Sequence, residues 1–245
     1  MKFREYGFGN KRKIILLHGG GLSWWNYKEV AERLQRKFHV ILPILDGHAD
    51  SDRSFSSIED NAEEIISFID EHFGGKVFFI GGLSLGGQIL LEMLSQRRDI
   101  CKFALVESAI VKPSKITKAL IGPAIELSYG LIGNEKFARK QFEALHIKED
   151  LFDDYYRDSF AISKSDMKEF LKANSSYELK SSVRRTKASV RIYVGSKEKQ
   201  EMIDSAEIIS KAIRCPFKVM RDLYHGEFSI NHPQEYAKAV EEMIK

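Results

Sequence analysis

Gly82-Leu83-Ser84-Leu85-Gly86 sets a serine between two glycines, where the apolar run Val77-Phe78-Phe79-Ile80 changes to a helical pattern opening with Gly87-Gln88-Ile89. A serine on a sharp strand-to-helix turn stands clear of the sheet, and glycines on either side permit the close backbone contacts that turn requires. The same turn leaves the Leu85 amide at a helix N-terminus, where N–H groups are unpaired and the dipole favours negative charge. These are the needs of a nucleophile and of one oxyanion donor. Ser84 and Leu85 are the candidates for those roles.

A serine hydroxyl is a poor nucleophile near neutral pH unless a base takes its proton and an acid orients that base. In open α/β sheets the reactive groups collect at the carboxyl ends of the strands. His225, beside Gly226 in the loop after the apolar run Phe217–Leu223, meets that condition as the base. The other six histidines fit less well. His232 precedes Pro233 at a helix entry, His48 lies in a polar loop, and His18 opens a glycine run. His39, His72 and His146 have no site-like setting. Glu198 is the first carboxylate after the strand-like run Val190–Val194 and falls in the order serine, acid, histidine. Glu107 competes for the role. It ends the apolar run Phe103–Val106, so it should be semi-buried and need a partner. Asp204 and Asp222 are weaker alternatives.

His18-Gly19-Gly20-Gly21 follows the first apolar run. Successive glycines let backbone N–H groups turn toward a ligand with no Cβ in the way. The dinucleotide G-x-G-x-x-G and the P-loop lysine are both missing, which removes the phosphate-binding reading. An oxyanion hole remains, with Gly20 the best single donor, Gly21 close behind, and Leu85 opposite.

The elements that must position these groups alternate along the chain. Lys13–Leu17 reads as a strand, Tyr27–Lys37 as an amphipathic helix and Val40–Leu45 as a strand. Ile58–Phe73 is a helix carrying Ile58, Ala62, Ile65, Ile66 and Ile69 on one face. Strand Val77–Ile80, helix Ser84–Gln96 and strand Phe103–Val106 follow. The alternation predicts a parallel sheet with right-handed crossovers and helices on both faces. It stops after Val111. Residues 112–188 lack a clear buried strand and read as helices broken at Pro113, Gly122-Pro123, Gly130 and Gly133, with Phe142, Phe152, Tyr155, Phe170 and Tyr177 among their aromatics. A structureless loop of that length is out of place in a compact domain. We expect a helical lid at 112–188 inserted in a core built from 1–111 and 189–245. Strand Val190–Val194, helix Met202–Ile213, strand Phe217–Leu223 and helix Gln234–Ile244 complete that core.

The chain has 245 residues, enough for one substantial core. Its 38 Lys and Arg against 35 Asp and Glu give a formal charge of +3, too balanced to suggest nucleic-acid binding. Cys101 and Cys215 are far apart, with neither metal nor redox spacing, and read as reduced thiols. No apolar run is long enough to cross a bilayer and the N-terminus lacks a secretory apolar region, so a cytoplasmic location is expected.

On the glycine run, the turn Asp46–Ser51, the elbow Gly82–Gly86, Val194-Gly195-Ser196-Lys197-Glu198 and Tyr224-His225-Gly226, the chain resembles the α/β-hydrolase superfamily, in particular its small, lid-bearing esterase-like members. The resemblance covers nearly the whole sequence. It implies Ser84 as nucleophile, Glu198 as orienting acid and His225 as base, under a lid at 112–188. Two departures stand out. The acid position more often holds Asp, and the early antiparallel hairpin is truncated, so six parallel strands plus one short N-terminal strand are expected. The implied activity is hydrolysis of a small ester or thioester with no metal or cofactor, the partner being the small-molecule substrate. The same triad also serves C–C hydrolysis, lyase or aminopeptidase chemistry, and a noncatalytic ligand-binding protein could keep the pocket. Aspartate-nucleophile dehalogenation does not apply, because position 84 is serine.

Overall fold

The computed structural model describes residues 1–245. Seven strands run β1 (Phe3–Tyr6), β2 (Lys13–Leu17), β3 (His39–Pro43), β4 (Val77–Leu83), β5 (Cys101–Glu107), β6 (Ser189–Gly195) and β7 (Phe217–Met220). They form one sheet in the order β1-β3-β2-β4-β5-β6-β7. β1 is antiparallel to β3, and the six strands β2 to β7 are mutually parallel. These are the six parallel strands and one short N-terminal strand that the resemblance implies.

Strand alternation divides the core into two apolar layers. On β2, Ile15 and Leu17 join the layer under helices α2 (Ile58–Phe73) and α3 (Leu85–Gln96), with α8 (Gln200–Ile213) beyond. Ile14 and Leu16 point the opposite way, onto α1 (Lys28–Leu34) and α10 (Pro233–Met243). Burial on both faces explains why the central strands read as unbroken apolar runs. α2 is bounded as its sequence demands: Ser57 Oγ accepts from the Asp60 amide at the start, and Gly74 at φ 67° closes the end.

Between β5 and β6 the chain forms four helices, α4 (Lys115–Ser128), α5 (Glu135–Ala144), α6 (Phe152–Ala161) and α7 (Lys164–Ser176). Specific polar contacts tie them to the loops and helices around the sheet. The Trp25 indole N–H donates to Asp158 on α6 at 2.8 Å, and the Phe55 amide donates to Asp166 on α7 at 2.8 Å. Gln88 on α3 exchanges hydrogen bonds with Asn174. Lys148 pairs with Glu29. Phe142, Phe152, Tyr155, Phe170 and Tyr177 are buried beneath these helices, whereas Phe160 is exposed.

The edge of the sheet departs from the sequence reading. β7 ends at Met220 rather than Leu223, because Asp222 adopts φ 60° and turns the chain out of the sheet. A four-residue helix, α9 (Glu227–Ile230), follows Gly226 and precedes α10. The helix expected over Tyr27–Lys37 is split into a tight 3₁₀ turn at Trp24–Tyr27 and the shorter α1.

Candidate active site

Ser84 sits between β4 and α3 at φ 52°, ψ −113°. A non-glycine residue in that region carries strain of order 1–3 kcal/mol, maintained only where the surroundings dictate it. Here they do. The Ser84 amide donates to Glu107 O on β5 at 2.9 Å. A Cβ on Gly82 would lie 2.3 Å from Gly86 O, and one on Gly86 would lie 2.2 Å from Leu17 O. Both glycines of the elbow are therefore required by close approach, one within the turn and one where α3 presses on β2.

His225 lies in the loop after β7, and its Nδ1 is 2.6 Å from Glu198 Oε2. The Glu198 side chain is 1% exposed and that of His225 is 45% exposed, so the ring bridges a buried carboxylate and solvent. The other carboxylate oxygen, Oε1, accepts from the Ser108 hydroxyl at 2.6 Å and from the Gly195 amide at 2.7 Å. Burial alone would push the Glu198 carboxyl up, but the His225 ring with the Ser108 and Gly195 donors takes it below its ordinary value. The group is an anion at neutral pH. An anion there fixes the imidazole with its proton on Nδ1 and leaves Nε2 free to accept.

Ser84 and His225 line the same cavity. Ser84 Oγ makes no hydrogen bond to His225 Nε2, the ring nitrogen left free by Glu198. Such bonds are commonly long before substrate arrives and tighten only in the complex.

Glu107, the competing acid, is 1% exposed at the end of β5, paired in register with Leu83 and Tyr193. Its Oε1 accepts from the Ser229 amide at 3.2 Å, and Oε2 has no partner. Glu107 makes no hydrogen bond to His225. Burial pushes its carboxyl up to about 7, against the lowering effect of Ser229. Asp204 pairs with Lys112, and Asp222 sits in an exposed turn beside Arg221, both away from the ring.

The glycine run is held by three buried side chains. His18 Nε2 accepts from the Leu45 amide at 3.1 Å while its Nδ1 meets Gly19 O at 2.9 Å. Asn26 Oδ1 accepts from the Gly19 amide at 3.1 Å. His48 Nε2 accepts from the Gly21 amide at 3.0 Å, with Nδ1 on Asp46 O. Burial, with the neighbouring His48, drives His18 down to about 3, and burial drives His48 down to about 4. Both rings are neutral, which the acceptor role of each Nε2 requires. One sequence expectation is corrected here: the Gly21 amide is already committed to His48, so it is not a free oxyanion donor. The Gly20 amide makes no such bond, and a Cβ on Gly20 would meet Leu85 and the Phe170 ring.

Sequence reading missed Ser108 and Asn26 as supporting groups. Ser108 follows Glu107 at the carboxyl end of a central strand, the very zone where site groups gather, so its position was a usable signal. Asn26 carried none. It is polar in an aromatic stretch, and only the fold brings it to Gly19. His146, read as having no site-like setting, stacks on Tyr224 with ring centroids 3.7 Å apart, at the rim of a second cavity beside Ser84. Trp25 pins the loop through Asp158 and lines neither cavity. His232 occupies the position just before α10, as its place ahead of Pro233 suggests, and makes no side-chain capping bond.

The alpha/beta hydrolase family model matches residues 14–239. Among solved structures, an esterase from Exiguobacterium antarcticum superposes with a TM-score of 0.83 at 17% identity, covering 99% of this chain and 95% of that one. An enol-lactonase from Burkholderia xenovorans gives a TM-score of 0.82 at 14% identity, with 99% and 95% coverage. A thermophilic esterase from Thermogutta terrifontis gives 0.80 at 17% identity, with 99% and 92% coverage. At these identities the structural likeness is one of fold.

Proposed function

Because the chain belongs to the alpha/beta hydrolase family, we propose that it is a serine hydrolase cleaving a small carboxylic ester or thioester through an acyl-enzyme on Ser84. Ser84 Oγ attacks the carbonyl carbon as His225 Nε2 takes its proton. The Glu198 carboxylate holds the ring through Nδ1 and stabilises the imidazolium as it forms. The Gly20 and Leu85 amides receive the oxyanion, a contribution of roughly 3–4 kcal/mol per donor in related chemistry. His225 then returns the proton to the leaving group. Water, activated by the same ring, releases the acid. Helices α4 to α7 act as the lid that covers the acyl group.

The observation that carries this reading is the 2.6 Å contact between His225 Nδ1 and the buried Glu198 carboxylate, beside Ser84 in one cavity. A binding protein has no use for a desolvated carboxylate aimed at a half-exposed imidazole. Ser84→Ala should reduce turnover of p-nitrophenyl butyrate by about three orders of magnitude or more and abolish labelling by a fluorophosphonate probe. A loss below about tenfold, with labelling retained, is incompatible with the assignment.

A further inference from the structure

Ser84 and His225 stand at the junction of two cavities with opposite linings. The first, about 230 Å³, runs between the sheet and helices α4 to α7, and the buried side chains of Ile125, Ile132, Tyr155, Ile162, Phe170 and Ile230 wall it. No Asp, Glu, Lys or Arg reaches it. It also holds the Gly19–Gly21 run, where the carbonyl oxygen must point. The second, about 430 Å³, lies on the side of β6 and holds no residue of that run. Lys197, Lys199, Glu198 and Glu201 line it, together with Ser114 and Thr117. Glu198 is committed to His225. Lys197 and Lys199 make no ion pair, although lysines elsewhere on the surface do, and α8 begins at this rim without a side-chain cap. Two unpaired ammonium groups thus stand with Glu201 at the rim, while the Glu198 carboxylate is 1% exposed behind His225.

We infer that the enzyme is built for esters of an uncharged, apolar acid with an anionic leaving group, the acid seated under the lid and the anion at Lys197 and Lys199. The inference rests on Ser84 being the nucleophile. A charged acyl group in the first cavity would lose its water and meet no opposite charge. A cavity of about 150 Å³ accommodates benzene, so 230 Å³ suits an acyl group on the order of six to nine carbons. On the other side the leaving group must stay within reach of His225, which donates its proton, and an anion there gains from both lysines without leaving water.

Three nitrophenyl esters test this: a hexanoate whose ring carries a carboxylate, the same hexanoate with a ring carboxamide, and a mono-ester of adipate whose charge lies in the acyl group. The wild type should favour the ring carboxylate over the carboxamide by about tenfold in kcat/KM, expressed mainly in KM and reduced by high salt. The ratio should fall to about unity in the Lys197→Ala/Lys199→Ala variant, survive in the Lys197→Arg/Lys199→Arg variant, and rise in Glu201→Gln. The adipate ester should be the poorest. Equal turnover of the two hexanoates in the wild type, a preference untouched by the double alanine variant, or a preference for adipate overturns the inference while leaving the hydrolase reading in place. Ser84→Ala turning over both hexanoates like the wild type overturns the hydrolase reading itself.

Discussion

Ser108 lines neither cavity, yet it holds the proposed acid in place. Its hydroxyl and the Gly195 amide occupy Glu198 Oε1, so that Oε2 is left for His225. A hydrogen bond to a buried charge is worth about 1.5–3 kcal/mol. Ser108→Ala should therefore lower kcat about tenfold to a hundredfold with little change in KM, measured on p-nitrophenyl butyrate. An unaltered kcat would mean that Gly195 alone suffices to orient the carboxylate. The two acids invite a sharper comparison. Glu198→Gln removes the charge opposite the imidazolium, and the corresponding change in a serine protease costs about four orders of magnitude in kcat. Glu107→Gln should change kcat only modestly, because that carboxyl bonds Ser229 rather than the ring. If Glu107→Gln proves the more damaging in steady-state kinetics, the acid belongs to β5.

At the scale of elements, the site depends on how closely α3 approaches β2. Gly86 lies where α3 begins, and any Cβ there would sit 2.2 Å from Leu17 O and 2.6 Å from His18 O. Neither backbone atom can yield, because Leu17 is paired with Gly82 in the sheet and the His18 ring is bonded to Leu45. Gly86→Ala should destabilise the fold by about 3 kcal/mol or more, read as a lowered urea midpoint, and any folded fraction should lose activity as the elbow shifts. A midpoint close to that of the wild type would mean that α3 can slide away from β2. The helices of residues 112–188 are tied to the core both by polar contacts such as Trp25–Asp158 and Phe55–Asp166 and by apolar side chains, Phe142, Tyr155 and Phe170 among them, that join the two core layers.

For the whole molecule, the consequence of folding around a carboxyl at Glu107 is a pH-dependent stability. Its folded pKa is raised to about 7 from an ordinary 4.5, so between those values the folded state holds a proton that the unfolded chain releases. That contribution is fully present below pH ~4.5 and is lost as pH rises through about 7. The 2.5-unit interval corresponds to about 3 kcal/mol at most. Glu107→Gln should remove it, so that the variant gains melting temperature over the wild type at pH ~9 and loses that advantage near pH ~5. Parallel melting curves at the two pH values would show that Glu107 is charged or solvated in the fold.

Much of this was legible in the chain because it is local. The elbow needs glycines at fixed offsets from a serine, the parallel strands show as apolar runs because both faces are covered, and the α2 boundaries follow from Ser57 and Gly74. The proposed order Ser84, Glu198, His225 is likewise readable in the chain, since each follows a strand and strand ends share one edge of the sheet. What no local pattern could carry is commitment. Gly20 and Gly21 are alike in the chain, and only the fold brings His48, 27 positions on, to occupy the Gly21 amide. Glu107 and Glu198 are both carboxylates near strand ends, yet Glu107 is the last residue of β5 in the centre of the sheet, where its neighbours are Leu83 and Tyr193, while Glu198 lies on the turn after β6 and reaches the ring. The two cavities meeting at Ser84 exist only once residues 112–188 are laid over the sheet. A hydrogen-bond donor can be spent once, and a carboxylate points one way; which partner each receives is a long-range matter, settled by packing rather than by spacing.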